Sequence, residues 1–364
     1  MEGRLIIDLL VLEKRKSYGF QEYVFNLLSY FYTHRESISN KEIVIWCKNT
    51  EVCLFDSFKD KFTINGFVFD NYFKRHWLQT WLPIKFKLGK NDILFTPGNT
   101  SGVIKRCPEI LTVHDLLFKR KKWMPSKLMR LQREFFIPIS IKKADKIIAI
   151  SQFTKSDIEY YYPQAKGKIE VIYNTMDFSK YNNSKEPHLN YHYFLAISTS
   201  YNYKNQRTII SAFKRYCELG GDKKLLFVGN LSPSSDAGVF YENLPLIIKD
   251  RIVFKSHISN EELGGLYKNA YCFISASLFE GLGMPVVEAM SFGLPVLLSD
   301  IPPHREISMN KGEYFEPYDF NYLSQKMLNL DGSKRSYCND IKELFSEDNT
   351  AAMYIKVINS FYGK

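Results

Sequence analysis

Residues 275–300 read SASLFEGLGMPVVEAMSFGLPVLLSD, and this stretch decides how the chain is expected to fold. It begins in an apolar run, passes through a glycine-rich loop and enters a helix predicted near 285–292. A second apolar run, PVLLSD (295–300), follows that helix. A strand, a glycine loop, a helix and another strand in this order are typical of a parallel α/β unit.

The loop in this stretch has the features of an anion-binding site. It consists of Gly281, Leu282 and Gly283. Its glycines let the backbone approach a ligand closely, and Pro285 suits the first position of a helix whose N-terminus offers free N–H groups. Glu280 and Glu288 flank the loop. Because a carboxylate repels phosphate oxygens, each glutamate is expected to accept hydrogen bonds from hydroxyl groups, as on a sugar.

The alternation of strands and helices extends along the chain and predicts two α/β halves. With 364 residues and about 150 residues per domain, two domains are expected, and 45% hydrophobic residues exclude wholesale disorder. We predict a first domain over 1–178, a polar linker over 178–192, a second domain over 193–346 and a terminal segment, 347–364, with a helix at 349–361. The apolar pattern predicts strands at 4–12, 43–47, 67–69, 93–96, 110–113, 146–151, 169–174, 193–198, 225–229, 251–254, 272–276 and 295–300. It predicts helices at 18–32, 126–143, 153–162, 205–219, 261–270 and 285–292.

The composition gives the chain a formal charge of +10, from 49 basic and 39 acidic residues, and 15% aromatic residues. An anionic partner is therefore expected, whether nucleic acid, a membrane surface or a phosphorylated substrate. No leader sequence or membrane-spanning run is expected. The six cysteines form no CxxC pair, which favours reduced thiols in a cytoplasmic protein.

The segment from Glu280 to Ala289 resembles the motif E-G-[FL]-G-x-P-x-x-E-A of glycosyltransferase family 4, a family of retaining enzymes with the GT-B fold. The resemblance implies two Rossmann-like, doubly wound domains that face each other across a cleft. It also implies that Glu280 contacts the hydroxyls of the donor sugar, Glu288 contacts the ribose, and the backbone of 281–283 holds the diphosphate. The alternative is an ordinary strand-to-helix turn with surface glutamates.

Two stretches of the first half are similar to family 4 as well. SYGFQEYVFNLL (17–28) is similar to its first glycine-rich loop, which implies that Gly19 approaches the diphosphate, although a plain turn glycine is the alternative. TVHDLLF (112–118) matches the His-Asp at a strand end, which implies that His114 polarises the sugar or the leaving phosphate. A buried structural histidine is the alternative. We interpret Ser151, Asn174 and Asp177 as caps and turns.

The second half has two further stretches of this kind. ISTSYNYKNQ (197–206) resembles the loop that clamps the diphosphate, with Lys204 in the cationic role and Arg207 as a possible helper. FKSHISNEELGGLY (254–267) resembles the base-binding loop, which implies that the backbone around His257, from Ser256 to Ile258, reads the nucleobase.

The resemblance implies transfer of a sugar from a nucleotide diphosphate sugar to a glycan or lipid-linked glycan, as in O-antigen or capsule synthesis. GDP-mannose, a deoxyhexose nucleotide and UDP-hexoses stay open as donors. No two Asp residues lie two positions apart, so no DxD pair exists and neither a metal nor a cofactor is expected. The alternatives are a nucleotide-sugar epimerase, a sugar-phosphate synthase, or a non-enzymatic nucleic-acid binder, although no nucleic-acid motif is present.

Two basic stretches account for much of the charge. Residues 72–90 hold five Lys or Arg and no acid, and residues 118–146 hold ten Lys or Arg against two acids. Aromatic residues are interleaved with the cations in 72–90, a combination that suits an anionic membrane surface. We therefore expect peripheral docking on the inner face of the cytoplasmic membrane, where a polyprenyl-diphosphate-linked acceptor lies. The alternative is a solvated basic face.

Overall fold

The computed structural model describes residues 3–13, 18–120, 123–124, 126–186, 189–199 and 201–362. The chain divides into two units, one formed by 1–177 together with 345–364 and the other by 178–344. Each unit is built on a parallel β-sheet with helices between successive strands.

The first unit contains a seven-stranded parallel sheet in the order β3-β2-β1-β4-β5-β6-β7. Its elements are β1 (Arg4–Asp8), α1 (Tyr18–Thr33), β2 (Glu42–Lys48), β3 (Thr63–Phe67), α2 (Tyr72–Lys85), β4 (Ile93–Thr96), β5 (Glu109–Val113), α3 (Lys127–Lys143), β6 (Lys146–Ala149), α4 (Gln152–Tyr161) and β7 (Ile169–Val171). Alternate residues of β1 enter separate cores: Leu5 and Ile7 pack on one face of the sheet and Ile6 on the other. Coverage of both faces explains why the central strands read as continuous apolar runs.

The second unit contains a six-stranded parallel sheet in the order β10-β9-β8-β11-β12-β13. Its elements are β8 (Tyr193–Ile197), α5 (Gln206–Glu218), β9 (Lys224–Val228), α6 (Asp236–Glu242), α7 (Leu246–Lys249), β10 (Ile252–Lys255), α8 (Asn260–Asn269), β11 (Cys272–Ser275), α9 (Met284–Ser291), β12 (Val296–Ser299), α10 (Pro302–Ile307), β13 (Glu313–Phe315), α11 (Phe320–Asn329) and α12 (Cys338–Leu344). The predicted pair of doubly wound α/β halves is confirmed.

A final helix, α13 (Glu347–Asn359), belongs to the first unit although it follows the second in sequence. It packs against α1, where the Tyr23 hydroxyl donates a hydrogen bond of 2.9 Å to the Tyr354 hydroxyl in the core.

Several predicted elements differ from the structure. The first strand ends at Asp8, not at residue 12, because the Asp8 carboxylate accepts the Leu10 N–H and the chain turns. The apolar run at 67–69 lies at the end of β3 and after it. None of the five residues of this edge strand is buried, so its apolar pattern is weak.

The segment predicted as a linker, 178–192, groups with the second unit. Residues 187 and 188 of this segment lie outside the described residues. Tyr181 is buried, and its ring packs edge-on against those of Tyr267 and Phe292. The polar composition of 178–192 gave no indication that Tyr181 packs against the second unit.

In each sheet the strand order reverses at one place, between β1 and β4 in the first unit and between β8 and β11 in the second. Ligands of open α/β sheets bind at the carboxyl ends of the strands beside such a reversal. The loops after β8 and β11 are therefore where a site is expected in the second unit.

Candidate active site

Lys204 and Glu280 meet at the strand reversal of the second unit. Lys204 lies in the loop after β8, and Glu280 lies in the loop after β11. The Lys204 Nζ is 2.6 Å from the Glu280 Oε1, and their side chains are only 17% and 13% exposed. The two residues that the sequence assigned to the diphosphate and to the sugar thus form one ion pair.

Asn205 holds the Lys204 loop in place. Its backbone is left-handed, with φ at +52°, a conformation that asparagine tolerates better than most residues. Its side-chain amide donates hydrogen bonds to the carbonyl oxygens of Ala276, at 3.1 Å, and Pro317, at 2.6 Å. Since Ala276 directly follows β11, this side chain ties the Lys204 loop to the end of the strand that carries Glu280.

A chain of buried hydroxyls holds Glu280 from the other side. Ser277 Oγ donates to the Glu280 Oε1 at 2.7 Å, and Ser299 Oγ donates to the Ser277 carbonyl at 2.6 Å. His304 is fully buried, with its Nδ1 2.9 Å from the Ser299 carbonyl and its Nε2 3.3 Å from the Ser275 hydroxyl. Sequence reasoning missed these supporting residues.

The surroundings keep Glu280 ionised. Burial alone would raise the pKa of Glu280, but the Lys204 ammonium and the Ser277 hydroxyl outweigh it and lower that pKa below its ordinary value. Burial lowers the pKa of His304, so the ring is neutral near pH 7. The carboxylate therefore presents hydrogen-bond acceptors to a ligand.

The glycine loop ends in the left-handed region. Gly283 has φ at +105° and precedes the first residue of α9, so Pro285 occupies the second helical position and not the first as predicted. Leu282 is buried, which anchors the loop between Gly281 and Gly283. Glu280 therefore lies four residues before the start of α9, and the anion-binding role of this helix N-terminus stays a prediction.

Glu288 lies in α9 and has two hydrogen-bonding or ionic partners from other parts of the second unit. The Tyr267 hydroxyl donates to its Oε2 at 2.7 Å, and the Lys180 Nζ lies 3.3 Å from its Oε1. Glu288 is mostly buried, so its carboxylate is neutralised and oriented before any ligand arrives. Lys180 comes from the segment that was predicted as a linker, and nothing in its local sequence pointed to this contact.

A cavity of about 340 Å³ lies beyond the ends of β9 and β10. Its lining includes Gly229, Tyr241, Phe254 and Ser256, so one residue of the predicted base-binding loop reaches it. His257, the next residue, is exposed and left-handed, with φ at +57°.

Models of two families match the chain. The model "Glycosyl transferases group 1" matches residues 177–343, and the model "Glycosyltransferase Family 4" matches residues 43–180. The chain is a glycosyltransferase of the family 4 type. This finding decides against the non-enzymatic alternative.

Named relatives agree with this assignment. The glycosyltransferase is 28% identical over 263 residues to the O-antigen chain mannosyltransferase RfbU of Salmonella typhimurium, a match that covers 71% of this chain and 70% of the relative. It is 38% identical over 66 residues to the GDP-mannose:cellobiosyl-diphosphopolyprenol alpha-mannosyltransferase of Xanthomonas oryzae, covering 18% and 17% of the two chains.

The fold is that of solved glycosyltransferases. A crystal structure of a glycosyltransferase from Rickettsia africae superposes with a TM-score of 0.72 at 16% identity, covering 100% of this chain and 99% of that one. The predicted GT-B fold class is thereby confirmed.

In the first unit of this glycosyltransferase, His114 directly follows β5. Its Nε2 lies 2.7 Å from the Pro97 carbonyl, and the rings of Phe20 and Tyr23 pack edge-on against it. Because a carbonyl only accepts, Nε2 carries the proton, and burial lowers the pKa of His114. The neutral ring therefore keeps the Nδ1 lone pair for a ligand, and the catalytic role of His114 stays a prediction.

Gly19 lies in the exposed first turn of α1, and a Cβ there would meet no atom within 4 Å. No steric requirement for glycine is therefore visible, and its role also stays a prediction. Ser17, in the same predicted loop, lies outside the described residues.

Arg207 does not join Lys204 as expected. Its guanidinium stacks over the Phe240 ring at 3.5 Å from the centroid and pairs with Asp236. Lys204 is thus the cation that the structure brings to Glu280.

The described residues contain neither a membrane-spanning helix nor a metal-binding cluster. No helix there is long and apolar enough to cross a membrane. No group of three or more His, Cys, Asp or Glu side chains there could hold a metal ion.

Proposed function

We propose that this glycosyltransferase moves a mannosyl unit from GDP-mannose to a glycan or a polyprenyl-diphosphate-linked glycan, with retention of the anomeric configuration, in O-antigen or related surface-polysaccharide synthesis. The observation that carries the proposal is the Lys204–Glu280 pair at the strand reversal. The names of the Salmonella and Xanthomonas relatives support mannose as the sugar.

Lys204 and the N-terminus of α9 would bind the donor diphosphate. The Glu280 carboxylate lies 2.6 Å from the Lys204 ammonium and neutralises it. A bound diphosphate would share the Lys204 ammonium, which can then stabilise the negative charge that grows on the leaving phosphate as the sugar–oxygen bond breaks.

Glu280 would position the sugar by accepting hydrogen bonds from its hydroxyls. Its Oε1 already accepts from Lys204 and Ser277, which fixes the carboxylate and leaves Oε2 as its second acceptor. We propose that the acceptor attacks on the face from which the diphosphate leaves, with no covalent bond to Glu280, which would retain the configuration.

Glu288 would accept hydrogen bonds from the ribose, and the cavity beside Tyr241 and Phe254 would take the base. The cavity is large enough for a nucleobase, and both aromatic rings in its lining offer apolar surface.

Tyr267→Phe tests the role assigned to Glu288. The Tyr267 hydroxyl is buried and donates to the Glu288 Oε2 at 2.7 Å, so its loss frees that carboxylate oxygen to rotate. We expect the affinity for GDP, measured by calorimetry, to fall about fivefold. Tyr216→Phe is the control, because this buried hydroxyl accepts the N–H groups of Asp222 and Lys223. Equal GDP affinity in both variants would contradict the ribose role.

We expect transfer to persist in excess EDTA, without added metal. The reason is that a fixed ammonium and a helix N-terminus supply positive charge to the diphosphate, which is the task of a metal in transferases that chelate one. Radiolabelled transfer with and without EDTA measures this. A loss of turnover that Mg²⁺ or Mn²⁺ restores would show that the proposal of metal independence is wrong.

The donor is tested by thermal shift followed by product analysis. A ligand that binds only the native protein raises its melting temperature, so GDP-mannose should raise it more than UDP-glucose or a deoxyhexose nucleotide does. Labelled GDP-mannose should then give an α-mannosylated glycan. A free epimerised nucleotide sugar would favour the epimerase alternative, and a sugar phosphate would favour the synthase.

We infer the acceptor and the cellular location of the enzyme from the basic stretches 72–90 and 118–146. Their cations suit the anionic inner face of the cytoplasmic membrane, where a polyprenyl-diphosphate-linked glycan would lie. We propose peripheral attachment there, with vesicle binding at low salt as the test.

A further inference from the structure

Helix α2 is amphipathic, but its large aromatic side chains are exposed and several of its polar side chains are buried. Phe73, Trp77 and Trp81 recur every fourth residue and are 59%, 61% and 45% exposed. On the opposite face, Arg75 and Gln79 are buried, and Gln79 donates to the Asp8 carboxylate at 2.8 Å. The buried face of α2 thus contains polar residues beside Leu82 and Pro83, while its three large aromatic side chains are exposed.

Helix α3 carries a second exposed apolar stripe. Leu128, Leu131 and Phe135 follow helical spacing and are 57%, 56% and 59% exposed. The two helices touch where the rings of His76 and Phe136 stack, with centroids 3.6 Å apart. Trp77 directly follows His76, and Phe135 directly precedes Phe136. Both exposed stripes therefore lie beside the contact between the two helices.

Cations surround these stripes. The exposed ones on or beside α2 are Lys74, Lys85, Lys87 and Lys90, and those on α3 are Lys127 and Lys142. Helix α2 contains no acid, but Asp70, two residues before it, lies 2.9 Å from Lys74. The single acid of α3, Glu134, lies 3.6 Å from Arg130. Positive charge therefore borders the apolar side chains on both helices.

The basic stretches are nevertheless less exposed than the sequence suggested. Arg75 is buried, Lys143 pairs with Glu109 at 2.7 Å, and Arg120 pairs with Asp157 at 2.7 Å. Lys121 and Lys122 lie outside the described residues. Fewer exposed cations are therefore available for docking by charge alone than the sequence suggested.

We propose that Phe73, Trp77, Trp81, Leu128, Leu131 and Phe135 form an insertion face that enters the headgroup and acyl boundary of an anionic bilayer. This inference rests on the proposed membrane attachment and deepens it from surface adsorption to insertion. Tryptophan in particular favours this boundary, since its ring is apolar and its N–H is polar. A second copy of the chain suits the face less well, because like-charged lysines would oppose each other.

Quenching of tryptophan fluorescence by brominated acyl chains tests the insertion. Bromine quenches only at close range, so vesicles of brominated phosphatidylglycerol should quench Trp77 and Trp81. Trp46 is buried and gives an unquenched background, and the variant below reports what half-buried Trp123 contributes. We expect Trp77→Phe with Trp81→Phe to bind the vesicles but to lose most of the quenching.

Phe135→Ser tests whether α3 belongs to the same face, since it leaves both exposed tryptophans in place. Together with Leu131→Ser it should weaken vesicle binding about tenfold. The matched control is Leu246→Ser with Ile247→Ser, a pair of apolar residues of the second unit that are each 76% exposed. That control should bind vesicles as the unchanged protein does.

The outcomes separate this inference from the proposed function. Vesicle binding without quenching would overturn insertion and leave surface adsorption intact. Failure to bind anionic vesicles would overturn both insertion and membrane attachment, while the GDP thermal shift and transfer to a water-soluble acceptor test the enzyme independently. A concentration-dependent dimer that Phe135→Ser dissociates would overturn insertion in favour of a second copy.

Discussion

Glu280→Gln should reduce transfer by at least about 100-fold while GDP binds as tightly as before or more tightly. The amide keeps the shape of the side chain but loses the charge that accepts hydrogen bonds from the sugar. It also releases Lys204, whose ammonium is 2.6 Å from the carboxylate, for the phosphate oxygens. Turnover is thus expected to fall while GDP affinity is kept or rises.

Steady-state kinetics and calorimetry measure the two effects. The control is Glu218→Gln, since Glu218 also forms an ion pair, with Lys214 at 2.8 Å, but lies exposed on α5. Transfer by the control should be unchanged. If Glu280→Gln turned over at the original rate, Glu280 would have no role at the sugar; if it lost GDP affinity as well, the ion pair would be structural.

Gly229→Ala is expected to destabilise the protein by about 3 kcal/mol and to weaken GDP binding. Gly229 has φ at +126°, and an added Cβ would lie 2.1 Å from the Ser198 carbonyl oxygen. That carbonyl is backbone and cannot rotate away, so the ends of β8 and β9 must separate. Since Lys204 follows Ser198 in the same loop, the shift reaches the diphosphate site.

Urea unfolding of Gly229→Ala and Gly220→Ala separates the two causes. Gly220 also has positive φ, at +87°, but a Cβ there meets no atom within 4 Å. The control should lose only about 1 kcal/mol, the cost of the left-handed backbone. Equal losses in both variants would contradict the predicted clash.

Strands were predictable where both faces of the sheet are covered. The four residues of β4 are all buried, and so are the five of β5, and most of them are apolar. Helix α2 escaped prediction because Arg75 and His76 face inward while Trp77 faces outward, so its periodicity does not mark a buried apolar face. A local sequence pattern predicts burial only where the buried residues are mainly the apolar ones.

The candidate site was predictable as far as its residues lie close together in sequence. The residues from Glu280 to Glu288 could be assigned from their spacing, and Lys204 was assigned separately, but their ion pair was not predicted. The contacts of Lys180 with Glu288 and of Ser277 with Ser299 span long sequence separations and involve ordinary residue types. Only the folded sheet brings them together.

The grouping of α13 with the first unit has a consequence for synthesis on the ribosome. Tyr354 and Ile358 fill the same core as Tyr23, yet all 167 residues of the second unit, 178–344, are translated before them. The second unit can therefore close its core while the first still lacks a helix. The part of the enzyme that is made first would finish folding last, and its exposed apolar core would depend on chaperones in the interval.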